Sequence, residues 1–233
     1  GIGSQQYINL SHLDYSSFPD GEKDFYPVRD VQSRIAGKHV LIFQSGQSLD
    51  FYEELKDLIW FCKNHVGAAE VTAIYFFMYG RRQDHGLSFQ YKINRNLRYI
   101  EELKNAGLDN LLLCDIHSDE TLRNCDKVGL NCHNIDPSKV FASYLQPYVN
   151  TSGTDNFLVY SPDFGSVNRS VSLAKILGVK VVISPKLRKP NGEIEIVQKG
   201  DFEDHVKDKF PEHSDLLMPF NNGNLKGKLV AIR

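Results

Sequence analysis

Two residues that could do chemistry, Asp115 and His117, follow an apolar run in the stretch NLLLCDIH, residues 110–117. An apolar run of this length after the turn-forming AGLDN predicts a strand that is buried on both faces. Residues two apart in a strand point to the same side, so the acid and the imidazole would reach into one crevice. A histidine at a strand end is more often a structural residue. Beside an acid at a crevice, however, it indicates a site for phosphate and metal.

A second polar segment, MYGRRQDHG at residues 78–86, also follows an apolar run. Arg81 and Arg82 offer guanidinium forks that suit phosphate. Gln83 and Asp84 can hydrogen-bond to a ribose or to a base. A solvated surface loop is the alternative interpretation, although charged loops that follow core strands often carry function.

A third segment, SSFPDGEKDF at residues 16–25, combines turn residues with an aromatic ring and acids. Taken alone, its Pro-Asp-Gly predicts an ordinary surface turn. An exposed Phe18 could also stack on a nucleotide base, and Asp20 and Glu22 could accept hydrogen bonds from the amino edge of that base.

Two further segments lie in the last third of the chain. YSPDFGSVNRS, residues 160–170, runs through Asp163 and Gly165 into a predicted helix, and such a helix start presents backbone N–H groups to an anion. SPKLRKPNGE, residues 184–193, places Lys186 and Arg188 two residues apart, just beyond a predicted strand. Two cations on a loop suit the charge that develops on a transferred phosphoryl group. A Lys/Arg cluster in isolation would more often be a basic surface.

The elements that would position these segments alternate between strand and helix. Apolar runs and helical spacing predict strands over 38–45, 70–78, 110–117, 157–163, 180–186 and 228–232, and helices over 50–66, 94–107, 136–149 and 168–178. The polar range 202–224 is interpreted as an insert. The alternation predicts an α/β fold of mainly parallel sheets flanked by helices, with ligands at the carboxyl ends of the strands.

A polar, turn-rich linker, NTSGTDN, divides this pattern into two predicted domains, residues 1–149 and residues 150–233. The net charge of −2 argues against a general nucleic-acid binder. No apolar run reaches the length of a membrane span, and no signal peptide opens the sequence, so the expectation is a cytoplasmic protein without membrane contact. The four cysteines predict free thiols rather than a zinc site.

Taken in order, the motifs FPDGE, YGRRQD, CDIHS, SPDFGSVNR and ISPKLRKPNGE resemble those of the ribose-phosphate diphosphokinases, also called phosphoribosyl-pyrophosphate synthetases. The resemblance implies two domains of the phosphoribosyltransferase type. It also implies transfer of the diphosphoryl group of Mg-ATP to ribose 5-phosphate, with phosphoribosyl pyrophosphate and AMP as products. The implied assembly is a homo-oligomer, either a dimer or a hexamer.

The resemblance also implies residue roles. Adenine would be held by residues from a neighbouring subunit, namely Phe18, Asp20 and Glu22. Other ATP contacts would come from Arg82, Gln83, Asp84 and His117. The metal signature for Mg²⁺ matches at Asp115, His117 and Asp126. Asp163 would meet the hydroxyls of ribose 5-phosphate, and the catalytic pair would be Lys186 and Arg188.

The sequence departs from the family pattern in several places. Where an aromatic pair usually precedes the acid at Asp126, the chain has Asn124 and Cys125, and Leu130 stands at the last acid of the metal signature. The family's loop for the pentose phosphate would begin at Arg233, so this second domain is expected to be incomplete and the full reaction inefficient. A regulatory paralogue, which binds nucleotide and assembles with an active subunit, is therefore a second hypothesis. A phosphoribosyltransferase is a third, which YGRRQD and KLR disfavour.

Overall fold

A computed structural model describes residues 14–26, 31–84, 93–188, 193–197, 199–220 and 225–233. The chain divides into two compact units, Gly1–Ile135 and Asp136–Arg233. Each contains a four-stranded sheet in which every pairing is parallel. The described part of the chain thus has the α/β architecture that the alternation of elements predicts. None of the described helices is both long and apolar enough to cross a bilayer.

The first unit begins with an antiparallel hairpin, β1 (Asp14–Ser17) and β2 (Lys23–Tyr26), followed by the short α1 (Val31–Ile35). Its sheet follows chain order. The strands are β3 (His39–Gln44), β4 (Glu70–Tyr75), β5 (Asn110–Cys114) and β6 (Asn131–Ile135). The helices between them are α2 (Leu49–Trp60), α3 (Arg95–Asn105) and α4 (Glu120–Lys127).

The strand β5 shows how the core of the first unit is built. Leu111 and Leu113 are fully buried, whereas Leu112 and Cys114 on the other face are half-buried. The sequence predicts a strand buried on both faces, and the second face is only partly buried. The strand also ends at Cys114 rather than at residue 117, because Asp115 adopts a left-handed backbone with φ 53°.

The second unit begins with α5 (Ser138–Ser152) and continues with β7 (Phe157–Ser161), α6 (Val167–Leu177) and β8 (Lys180–Ile183). A hairpin of β9 (Lys186–Arg188) and β10 (Ile194–Ile196) follows, and then α7 (Lys199–Lys209), β11 (Leu217–Pro219) and β12 (Leu229–Ile232). The sheet has the order β11-β8-β7-β12.

The interpretation of residues 202–224 as an insert was wrong. About half of the range belongs to α7 and β11, and β11 is an edge strand of the second sheet, parallel to β8. Phe202 and Val206 are buried in the core of this unit, and the ring of Phe202 lies 5.8 Å from that of Phe164. Charged residues surround these two apolar positions in the sequence, so the helical spacing is weak there.

The two units meet at Ile135 and Asp136, whereas the linker composition predicts a domain boundary at residues 149 and 150. The difference is the helix α5, which packs on α6. Its residues Ala142 and Val149 belong to the core of the second unit. The polar linker overlaps the end of α5 and the short helical turn Thr154–Asn156 that follows it, and the boundary at residues 149 and 150 stays a prediction.

Candidate functional site

The loop that follows β4 is held close to α3. Gly80 has φ 79°, and a Cβ at this position would lie 2.7 Å from the ring of Tyr99, so no larger residue fits without movement. The guanidinium of Arg81 lies 3.1 Å from the centre of the Phe77 ring. Arg82 and Gln83 are exposed. The loop therefore presents Arg82 and Gln83 to solvent on a well-packed base.

Asp84, the last described residue of this loop, behaves differently from its neighbours. Its side chain is 0% exposed, and its Oδ2 accepts a hydrogen bond of 2.5 Å from the hydroxyl of Ser118. Asn94 and Asn124 donate side-chain hydrogen bonds to its backbone carbonyl at 3.1 and 3.4 Å. The Asp84 side chain therefore bonds the loop after β4 to Ser118 and does not face solvent.

The loop after β5 lies at the same edge of the sheet, because β4 and β5 are parallel neighbours. The N–H of Asp115 donates to the carbonyl of Ile135 at 3.2 Å, and the N–H of Ile116 donates to Oδ1 of Asn134 at 3.2 Å. His117 is exposed. The edge thus gathers Arg82 and Gln83 from one loop with Asp115 and His117 from the next.

The predicted metal ligands do not form a cage. Asp126 is exposed on α4, and no group of three or more His, Cys, Asp or Glu side chains among the described residues is placed to hold a metal ion. Asp115, His117 and Asp126 therefore do not fit an all-protein Mg²⁺ site. Mg²⁺ usually keeps several waters and binds through one or two carboxylates together with substrate phosphates.

The predicted adenine-contacting residues lie in the turn of the hairpin β1–β2. Phe18 is 49% exposed, and Asp20 and Glu22 are exposed as well. The N–H of Glu22 donates to Oδ1 of Asp20 at 3.1 Å, and Gly21 supplies the positive φ of 90° that the turn requires. The ring and the acids stand at one exposed turn, as the sequence predicts.

In the second unit, Asp163 and Lys186 follow the neighbouring parallel strands β7 and β8. The carboxylate Oδ1 of Asp163 accepts a hydrogen bond of 2.9 Å from the N–H of Ser166, so Asp163 caps the start of the helical segment that leads into α6. Its side chain is also exposed, so capping leaves it accessible to solvent.

Lys186 and Arg188 lie in β9, opposite Ile196 and Ile194 of β10. Lys186 is exposed. The sequence predicts a flexible loop at this point, whereas the structure has a two-stranded antiparallel hairpin at both residues. The pairing gives the strand that carries both residues a defined register against β10.

The sequence reasoning missed four residues that hold the site together, Asn94, Asn96, Ser118 and Asn124. Asn94 was recognisable, because asparagine before an apolar-periodic segment is a common N-cap, and its Oδ1 accepts from the N–H of Leu97 at 2.9 Å. The other three offered no signal, because their burial depends on contacts distant in the sequence.

Comparison with known proteins gives a consistent result. No family model matches the chain. The chain is 31% identical over 179 residues to a ribose-phosphate pyrophosphokinase of Ralstonia nicotianae, an alignment that covers 76% of this chain and 52% of that protein. It is 29% identical over 208 residues to a ribose-phosphate pyrophosphokinase of Vibrio parahaemolyticus, with 87% and 62% covered.

Among solved structures, the chain is similar to phosphoribosylpyrophosphate synthetase from Mycobacterium smegmatis, with a TM-score of 0.65 and 21% identity over 80% of this chain and 58% of that one. This likeness supports the fold. The chain spans between half and two thirds of the length of the curated relatives that it matches. By these similarities, the chain is a relative of ribose-phosphate pyrophosphokinases.

Proposed function

We propose that the protein is a ribose-phosphate diphosphokinase, which transfers the diphosphoryl group of Mg-ATP to ribose 5-phosphate. The proposal rests on one observation: the loops after β4 and β5 lie at the same edge of the first sheet. One loop exposes Arg82 and Gln83, and the other carries Asp115 and His117. A guanidinium, an amide and an imidazole beside an acid are suited to a nucleotide polyphosphate.

The proposed reaction needs positioning and cations more than covalent chemistry. The anomeric hydroxyl oxygen of the sugar attacks the β-phosphorus of ATP, and the bond from that phosphorus to the oxygen that bridges it to the α-phosphorus breaks. AMP leaves with that oxygen, and the hydroxyl proton is released. The ammonium of Lys186 would neutralise charge that develops on the transferred group. Arg188, from the same strand, would do the same.

On the substrate side, Arg82, Gln83 and His117 would bind ATP, and the turn with Phe18, Asp20 and Glu22 would hold adenine in a neighbouring subunit of a homo-oligomer. Asp163 would accept hydrogen bonds from the ribose hydroxyls. Mg²⁺ would arrive as the counter-ion of ATP, and we assign no step to it. The products are phosphoribosyl pyrophosphate and AMP, in nucleotide biosynthesis in the cytoplasm.

The test is release of AMP from ATP that depends on ribose 5-phosphate and Mg²⁺. Lys186→Ala should lower kcat by about 10²–10³-fold with little change in ATP affinity, because a group that acts on the transition state contributes little to ground-state binding. Lys175→Ala is the matched control, since Lys175 is an exposed lysine on α6 of the same unit. ATP binding without sugar-dependent AMP release would instead support a regulatory paralogue, and a loss of affinity with unchanged kcat would contradict the role of Lys186.

A further inference from the structure

We infer that a buried polar bridge, formed by Asp84, Ser118 and Asn124, fixes the loop after β4 relative to the loop after β5 and so presets the nucleotide contacts. These three are positioning residues, since each acts through the neighbouring exposed side chains. The identity of the ligand rests on the proposed function. The bridge itself is a property of the first unit and can be tested without a ligand.

The hydrogen bond between Ser118 and Asp84 joins the two loops directly. The Ser118 hydroxyl donates to Oδ2 of Asp84 at 2.5 Å and accepts from the N–H of Glu120 at 3.3 Å. Because the Asp84 side chain is 0% exposed, its carboxylate depends on protein donors to offset the cost of burial. Loss of the hydroxyl would therefore remove a charge-assisted bond inside the protein, which is stronger than a neutral one.

The backbone on either side of Asp84 is held by two helices. The N–H of Asn96, on α3, donates to the carbonyl of Gln83 at 3.1 Å. The amide of Asn124, on α4, donates to the carbonyl of Asp84 at 3.4 Å and to Oδ1 of Asn96 at 3.0 Å. Asn124 therefore links α4, α3 and the loop after β4 through one amide group.

The side chain of Asn124 is buried and bonded on both sides. Asn124 is 0% exposed, and its Oδ1 accepts from Nζ of Lys127 at 3.1 Å. Its side chain is thus bonded through both its oxygen and its nitrogen.

The bridge would position two exposed side chains that lie next to it in the sequence. Arg82 lies two residues before Asp84, and His117 lies directly before Ser118; both are exposed. A bridge that joins positions so close to each side chain limits how far the loops can separate. Binding then requires less ordering of the loops, which raises affinity for a ligand that contacts both.

The first test is amide hydrogen exchange on the protein without ligand. Ser118→Ala should raise exchange at residues 80–84, and Asp84→Asn should raise it at residues 115–119, although each substitution lies in the other loop. Ser118→Thr keeps a hydroxyl and should restore protection. Ser143→Ala, an exposed serine on α5, is the control. Unchanged exchange in the opposite loop for both variants would overturn the inference.

The second test is Mg-ATP affinity by calorimetry. Ser118→Ala should weaken binding by about tenfold, the size expected for a hydrogen bond to a charged group. The double variant Asp84→Asn/Ser118→Ala should bind no more weakly than the weaker single variant, because both substitutions break one contact. Raised exchange with unchanged affinity would overturn the positioning role. Raised exchange in the variants, together with a wild type that does not bind ATP, would support the bridge and contradict the proposed function alone.

Discussion

Nζ of Lys63 lies 2.8 Å from Oδ2 of Asp109 and completes a junction at the amino edge of the first sheet. The same carboxylate oxygen accepts a hydrogen bond of 2.8 Å from the N–H of Val71 in β4, and Nζ of Lys63 also donates to the carbonyl of Ala69 at 3.0 Å. The pair ties the turn before β5 to the start of β4 and to the helical segment Phe61–His65.

This junction predicts a dependence of stability on pH. Burial raises the pKa of Asp109, but the hydrogen bonds from Lys63 and Val71 and the charges of Lys63 and Lys104 outweigh it, so the pKa is lowered overall. A lowered pKa means that the stabilisation is complete above the unfolded value of about 3.9 and is lost as the pH falls through the folded value. Asp109→Asn should cost about 1 kcal/mol of unfolding free energy at pH 7.

Urea unfolding at pH 7 and at a series of pH values below the unfolded pKa of about 3.9 measures this effect. The difference between Asp109→Asn and wild type should shrink as the pH falls and the wild-type carboxyl gains its proton. Glu101→Gln, at an exposed position on α3, should have little effect. A difference that stays constant with pH would show that the charge of Asp109 does not stabilise the fold.

A buried hydroxyl links α2 to α3. The Tyr52 hydroxyl lies 3.0 Å from the carbonyl oxygen of Tyr99 and 2.9 Å from Oε2 of Glu102. Tyr52→Phe keeps the ring in the core and should lower the free energy of unfolding by about 1–2 kcal/mol. Tyr144→Phe, whose ring is 72% exposed, should change it little. Thermal unfolding followed by circular dichroism would compare the two, and equal effects would show that the buried hydroxyl has no special role.

Burial and a hydrogen bond to Glu102 also raise the pKa of Tyr52. The phenol should therefore stay protonated in the folded protein to higher pH than an exposed tyrosine. A spectrophotometric titration of wild type against Tyr52→Phe measures this directly. The variant should lose a tyrosine that ionises only when the protein unfolds in alkali. If the tyrosine missing from the variant is instead one that ionises near pH 10 in the folded wild type, the burial of Tyr52 is contradicted.

The helix α7 should be essential to the second unit. Phe202→Ala removes a ring that is 2% exposed and should cost about 3–5 kcal/mol, because the cavity collapses only in part. Asp204→Ala, at an exposed position on the same helix, should have little effect. Limited proteolysis should cut the Phe202 variant within the second unit first. If both variants resist the protease equally, α7 is not essential to the second unit, as expected of an insert.

The thiol of Cys62 should react slowly. Burial raises its pKa to about 11, so at pH 8 the thiolate fraction falls more than a hundredfold below that of a free cysteine with a pKa of about 8.5. Alkylation at pH 8, followed by mass spectrometry, should label Cys62 at least a hundredfold more slowly in the folded protein than in urea. Rapid labelling of the folded protein would place Cys62 on an accessible surface.

Three strands (β3, β4 and β5) and two helices (α2 and α3) of the first unit were predictable, because long apolar runs and helical spacing depend on nearby residues alone. The helix α4 and the strand β6 were not predicted. Burial in β4 alternates over Val71, Ala73 and Tyr75 as a strand requires. Ordered polar motifs also predicted which loops lie at the sheet edge. In parallel sheets the ends of neighbouring strands meet at one edge whatever the details of packing.

The remaining features depend on tertiary contacts. The burial of Asp84 follows from a bond to Ser118, thirty-four positions away in sequence, and no local pattern carries that information. The helix α7 was missed because its sequence has two large apolar residues, Phe202 and Val206, among mostly charged ones. The roles assigned to Lys186, Arg188 and Asp163 stay predictions, as does the division at residues 149 and 150.

Asp115 gives the site an evolutionary consequence. Its φ of 53° costs an ordinary L-residue about 1–2 kcal/mol, and aspartate less. Glycine would remove this strain but loses more backbone entropy on folding, roughly 0.5–1 kcal/mol, and it would also remove the carboxylate that follows β5. Selection for heat resistance alone should therefore be nearly indifferent to Asp115→Gly, whereas a screen for nucleotide turnover should reject it.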